Sequence, residues 1–287
     1  MRSYTILVLA DMHVGSKLAV LHPQTPGYIL HNDAQRYLWQ CWQHMLSKLP
    51  RKIDIVVSMD ELIDGPANSR KKKYGTLITR LEGQRRAVKK LLKPVLNKAE
   101  KLYCLIGSEY HTDEWGEASR TLAQYLGADP VFTDGNNDGD DGEGDSGDGS
   151  EYACYNLFLQ FGDVILDFAH HASATMVNRL MVLERETRYR KIDNPIPKNV
   201  DGEIRGIIRA HSHVFGVTQD RHCLSIRCPG WQFPYYDYGI AKASVARSYP
   251  DIGWILLEVI PEQAHWPVRI KDFCLYDYPK AQVIQIA

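Results

Sequence analysis

The sequence predicts an α/β protein, a layered sandwich built on a mixed sheet. Strand-like apolar runs recur along the 287 residues, and the first of them are apolar throughout, as strands covered on both faces are. Helical stretches alternate with these runs in the first half, whereas strands joined by short turns dominate the second. The runs in order are "TILVLA", "IDIVVSM", "KLYCLIG", "NLFLQFGDVILDFAH", "GEIRGIIRAH", "HCLSIRCPG" and "IGWILLEVI". Between the first two lies "NDAQRYLWQCWQHMLSKLP", a helix with Asn32 or Asp33 as its N-cap and Pro50 as its stop.

A chain 44% hydrophobic and 24% charged has material for a sizeable core, and its formal charge of -1 gives no global polyanion signal. Cys41, Cys104, Cys154, Cys223, Cys228 and Cys274 are dispersed without a C-x-x-C and mostly lie in strand-like runs. Buried reduced thiols in a cytosolic protein are expected, rather than a disulfide scaffold. The N-terminal apolar run is short for a signal peptide and no run approaches a membrane span, so a cytoplasmic protein without a membrane partner is expected.

Two segments depart from the average composition. Residues 69–101 carry twelve Lys/Arg against Glu82 and Glu100 only. A run of this kind is commonly a solvated helix face, and near an active site it also suits a phosphate backbone. Residues 134–150, "DGNNDGDDGEGDSGDGS", hold seven Asp/Glu, no basic residue and no apolar one, the composition of a flexible surface insertion. Within them Asp134, Asn136, Asp138, Gly139 and Asp145 match part of a Ca²⁺-binding loop, although Asp141 occupies a usually apolar position and Asp145 replaces the expected Glu. Calcium there is a second expectation beside the plain insertion.

Five strand-like runs end in ligand-type residues. "LVLADMH" ends in Asp11 and His13, "IDIVVSMDELID" in Asp60, Glu61 and Asp64, and "KLYCLIGSEYH" in Glu109 and His111. "DVILDFAHH" ends in His170 and His171, and "GIIRAHSH" in His211 and His213. Any one of these is unremarkable as a polar strand end, but α/β sheets place ligands at the carboxyl ends of their strands, so the five converge on one pocket if the strands are parallel. Imidazole and carboxylate donors without cysteine suit Mn²⁺, Fe, Zn²⁺ or Ni²⁺. About seven ligands exceed what one catalytic ion with an open position uses. They match two ions sharing a carboxylate, which at about 3.5–4 Å separation hold a hydroxide and clamp the attacking and leaving oxygens at phosphorus.

The ordered set D-x-H, a strand-end Asp, G-x-x-x-H, H-H and A-H-x-H resembles the calcineurin-like metallophosphoesterases. The resemblance runs from Asp11 to His213, and "CPGWQFPYYDYG...DIGWILLEV" is similar to the C-terminal part of bacteriophage and prophage members. It implies a four-layer α/β/β/α sandwich with mixed sheets, one domain over 1–287, two divalent ions with manganese foremost, and the host cytoplasm if the chain is phage-encoded. Carried over residue by residue, Asp11, His13 and His213 bind the first metal, Asp60 bridges, and His170 and His211 bind the second. The family's Gly-Asp is Met59-Asp60 here, and an ungapped reading on "LIDG" puts Glu61 in the bridging place; Asp60 is preferred for its shorter arm. The family's Gly-Asn-His is Gly107-Ser108-Glu109-Tyr110-His111. Glu109 is then expected to supply the missing oxygen, and His111 to protonate the leaving oxygen or to act as a ligand. His171 is expected to face substrate, with a ligand role in place of His170 as the alternative.

Hydrolysis of a phosphate ester follows. The basic stretch and "MVNRLMVLERETRYRKIDNPIPKN", with Arg179 as a substrate contact, lean towards a phosphodiester in DNA, RNA or a nucleotide, and Trp231, Tyr235 and Tyr236 are candidates for base stacking beside their commoner role of core packing against the sheet. A phosphomonoesterase acting on phosphoprotein or small molecules is the alternative. A catalytically degenerate binding or scaffold protein is the reading from another class. No repeat or coiled-coil pattern specifies an oligomeric state.

Overall fold

A computed structural model describes residues 1–25, 32–66, 75–109, 116–131, 151–171, 181–193, 201–233 and 250–277. Strand β1 (Tyr4–Leu9) is followed by helix α1 (Asp33–Lys48), β2 (Ile53–Ser58), α2 (Leu81–Leu96), β3 (Ala99–Leu105), α3 (Glu117–Leu126) and β4 (Ala153–Cys154). Next come β5 (Asn156–Phe161), β6 (Val164–Ala169), α4 (Met181–Asp193) and β7 (Glu203–Arg209). The described chain closes with β8 (Gly216–Gln219), β9 (Leu224–Arg227), β10 (Ile252–Val259) and β11 (Val268–Tyr276).

The strands form a six-stranded sheet in the order β11-β10-β1-β2-β3-β4 and a five-stranded sheet in the order β5-β6-β7-β9-β8. Strands β1 to β4 run parallel, and β10 and β11 are antiparallel additions at one side. In the second sheet β6, β7 and β9 are parallel, flanked by antiparallel β5 and β8. Both sheets are therefore mixed, as the sequence predicts.

Alternation along the strands divides the core in two. Leu7, Leu9 and Val56 join Trp42, Met45, Val88 and Leu91 beneath the helices. Ile6, Val8, Val57 and Val259 point the other way and meet Leu166, Phe168, Ile208 and Ile226 of the second sheet. Helix α4 covers that sheet's far face, where Leu183 is buried and Thr187 shares a 2.7 Å hydrogen bond with Ser225. The layers are thus α/β/β/α.

Helix α1 starts where the sequence places it: the Asn32 side chain accepts from the Gln35 N–H at 2.8 Å. Helix α2 buries Gln84, Ala87, Val88, Leu91, Leu92 and Val95, a helical spacing that turns its Lys and Arg residues outward. Within the basic segment read as helical over 69–101, helix α2 occupies Leu81–Leu96 and β3 begins at Ala99. Its first residues and the whole acidic segment 134–150 lie outside the described residues, as do His111, Arg179, Tyr235 and Tyr236. No described helix is long and apolar enough to cross a membrane.

Candidate metal centre

The carboxyl ends of β1, β2 and β3 lie side by side in the first sheet, and those of β6 and β7 face them from the second. Backbone hydrogen bonds beyond the strands carry this pairing into the site: Asp11 N–H donates to Asp60 O (3.2 Å) and His13 N–H to Glu61 O (2.7 Å). Across the sheets, His211 N–H donates to Asp11 Oδ2 at 3.2 Å.

Two clusters result. The first consists of Asp11, His13, Glu61 and His213, the second of His170, His171 and His211, each with one donor atom per residue inside a 4.8 Å span. The Glu61 carboxylate lies between them. Its Oε2 is 3.1 Å from His13 Nε2, while its Oε1 is 3.1 Å from His170 Nε2 and 3.7 Å from His211 Nδ1. Within the clusters, His13 Nε2 and His213 Nε2 stand 3.1 Å apart, and His170 Nε2 and His211 Nδ1 3.2 Å. The first cluster is closed, with Asp11, His13 and Glu61 at most 2% exposed; in the second, the His211 side chain is 46% exposed.

These spacings fit a cation. Donors bound to one ion at ~2.0–2.2 Å are ~3.0 Å apart at a right angle and ~3.4 Å at the tetrahedral angle. Asp11 Oδ1 is buried without a hydrogen-bond partner, and His213 Nε2 stands 3.6 Å from it. Burial pushes the Asp11 carboxyl up to about 7, against the pull of the His170 imidazole. Glu61 is also opposed by burial, yet hydrogen bonds from His13, His170 and His211 hold it well below the usual carboxylate range. His170 is pushed up to about 9, because contact with Glu61 and the charge of Asp11 outweigh its burial. Its Nδ1 is 2.6 Å from the Met59 carbonyl, which can only accept, so Nδ1 carries a proton and Nε2 is the nitrogen turned to the cluster.

Backbone strain is concentrated here. Seven described non-glycine residues have positive φ, and six of them are Asp11, His13, Asp60, Glu61, His211 and His213. The left-handed region costs an L-residue ~1–2 kcal/mol. Strain repeated at one place and nearly absent elsewhere marks a site whose side-chain directions are imposed by the surrounding structure.

Of the two acids that the sequence offers for the bridging place, Asp60 and Glu61, the structure turns the second to the clusters. The carboxylate between the clusters belongs to Glu61, not Asp60. Asp60 Oδ2 is turned to the Gly107 N–H and to the Ser119 hydroxyl of α3, at 2.7 Å from the latter, tying the ends of β2 and β3 to that helix. Glu109 is exposed and stands in neither cluster, and its neighbour Ser108 donates its hydroxyl to Glu61 Oε1. Asp11, His13, His170, His211 and His213 are brought together, and His171 joins the second cluster as a member.

Two glycines went unread. A Cβ on Gly107 would lie 2.8 Å from Asp60 Oδ2, and one on Gly230 would lie 2.9 Å from His213 Nδ1 and 3.2 Å from Asp11 Cβ. Gly230→Ala is expected to displace His213 and weaken metal binding at the first cluster while the fold survives. Calorimetric metal titration beside a thermal melt checks it, and an unchanged affinity would refute it.

No family model and no curated protein matches the chain. Its fold is similar to that of several solved structures. One is Vps29 of Entamoeba histolytica complexed with zinc, at 10% identity over 95% of this chain and 99% of that one, TM-score 0.40. Another is a conserved uncharacterized protein of Streptococcus pneumoniae described as a predicted phosphoesterase, at 11% identity over 90% and 84%, TM-score 0.34. A third is a novel archaeal phosphodiesterase, at 11% identity over 95% and 99%, TM-score 0.40.

Proposed function

We propose that the chain is a phosphoesterase whose two clusters hold two divalent cations shared through Glu61, and that it hydrolyses a phosphodiester. The observation that carries the reading is the Glu61 carboxylate, which directs one oxygen to each cluster at ligand spacing. Two bound ions of the Mn²⁺, Fe, Zn²⁺ or Ni²⁺ type would supply Lewis-acid stabilisation of charge at phosphorus and activation of water.

The chain's own groups set the geometry. Asp11, His13, Glu61 and His213 would hold one cation in the closed cluster. His170, oriented by Met59 O, would hold the other with His211 and His171, on the side open to solvent. Such a division leaves room for substrate at the second position. Asp60 acts on the site indirectly, by fixing the end of β2 that carries Glu61 against Gly107 at the end of β3. His111 keeps its proposed role of protonating the leaving oxygen. The choice of a diester rests on the basic segment that follows the second motif.

Hydrolysis of bis(p-nitrophenyl) phosphate and p-nitrophenyl phosphate, with Mn²⁺ and with chelator, tests the reading. Chelator-sensitive turnover that favours the diester is expected. Preference for the monoester would replace the substrate class, and absence of turnover with all four metals would overturn the enzyme and favour a binding protein.

A further inference from the structure

We infer that the cleft beside the second cluster seats the base of a nucleotide whose phosphoester lies at the metal centre. The inference rests on the phosphoesterase reading above and names its substrate class. The cleft has a volume of about 400 Å³, within the ~300–1,000 Å³ of small-ligand sites. Its lining includes Tyr155, Asn156, His171, Glu186, Tyr189 and Arg209. His171 belongs both to this wall and to the second cluster, so an occupant of the cleft lies one imidazole away from the proposed cation.

The walls select the occupant. Tyr155, in the turn between β4 and β5, is 50% exposed, and Tyr189, on α4, is 56% exposed. Neither ring is spent on core packing, and both line the same cleft. Aromatic rings so placed stack on bases of any identity, since every base has a π-face.

The charge at the cleft floor argues against a second phosphate. Arg209 gives Nη1 and Nη2 to Asp167 at 3.2 and 2.9 Å and Nε to Glu186 at 2.8 Å. Among the described lining residues one cation, Arg209, is thus set against the Glu186 carboxylate with the buried Asp167 behind it, so these residues offer no net positive charge. A flat uncharged group with polar edges fits better, because the cleft is lined by hydrogen-bonding side chains, the Asn156 amide and the Glu186 carboxylate among them. A phosphotyrosine ring has no such edges, so a nucleotide is favoured over a phosphopeptide.

The test compares kcat/KM for the p-nitrophenyl ester of thymidine 5′-phosphate with that for methyl p-nitrophenyl phosphate, in Mn²⁺. The wild type is expected to prefer the thymidine ester. In Tyr155→Ala/Tyr189→Ala the ratio of the two constants falls, by roughly 5- to 100-fold for the loss of stacking, whereas Tyr155→Phe/Tyr189→Phe retains it. Equal wild-type constants, or an unchanged ratio in the alanine pair, overturn the cleft assignment and leave the phosphoesterase standing. Hydrolysis of neither ester by the wild type, in Mn²⁺ or in Fe²⁺, Zn²⁺ or Ni²⁺, overturns the phosphoesterase and the base cleft with it.

Discussion

Glu61→Ala is expected to abolish divalent-metal binding at both clusters in one step, and phosphoester hydrolysis with it. Removing His13 takes one imidazole from the first cluster only, and removing His171 takes one from the second only. Among the described residues Glu61 alone sets an oxygen beside the histidines of both clusters, and its absence leaves His170 and His211, 3.2 Å apart, with no carboxylate between them and the first cluster with Asp11 as its one remaining carboxylate. The loss in activity is expected to exceed the ~10–100-fold that deletion of an outer-shell partner costs. Metal content after gel filtration and kcat/KM on bis(p-nitrophenyl) phosphate measure it. Asp60→Asn is the informative control, because Asn keeps an oxygen acceptor for Gly107 and Ser119 and should retain both ions. Loss of both ions from Asp60→Asn, with retention in Glu61→Ala, would return the bridge to Asp60.

The choice between Asp60 and Glu61 shows where sequence reading stops. On a regular strand adjacent residues face opposite ways, so the alternation that separates Ile6 and Val8 from Leu7 and Leu9 would have separated these two acids as well. Both have positive φ instead, and alternation no longer reports direction once the chain leaves the β region. The convergence itself was legible, because Asp11, Glu61, His170 and His211 each follow an apolar run that a parallel strand explains. Ser108 was not legible as a contact of Glu61, since nothing in "GSEYH" tells a hydroxyl aimed into the site from one in water. Strand β11 escaped for another reason. Its Arg269, Lys271 and Asp272 belong to an exposed strand paired only with β10, and no apolar run announces it.

The buried pair Arg209–Asp167 was equally silent, because both residues lie inside runs that read as apolar. Arg209→Met is expected to destabilise the protein by ~3–5 kcal/mol, since Asp167 would keep its charge at 0% exposure without its bidentate partner. At ~2–4 °C per kcal/mol for a chain of comparable size, melting should fall by roughly 6–20 °C. Arg209→Met/Asp167→Leu removes both charges. It should recover most of that loss, leaving only Glu186, whose side chain is 16% exposed and can be solvated. Arg209 ends β7, two residues before His211, and its Nη1 also holds the carbonyls of Asp167 and Ile208 at 3.0 and 2.9 Å. A double variant that melts like the wild type but binds metal weakly at the second cluster would show that the guanidinium positions the strand end. One as unstable as Arg209→Met would refute the argument from uncompensated charge, and would put the loss in the carbonyl contacts that neither replacement restores.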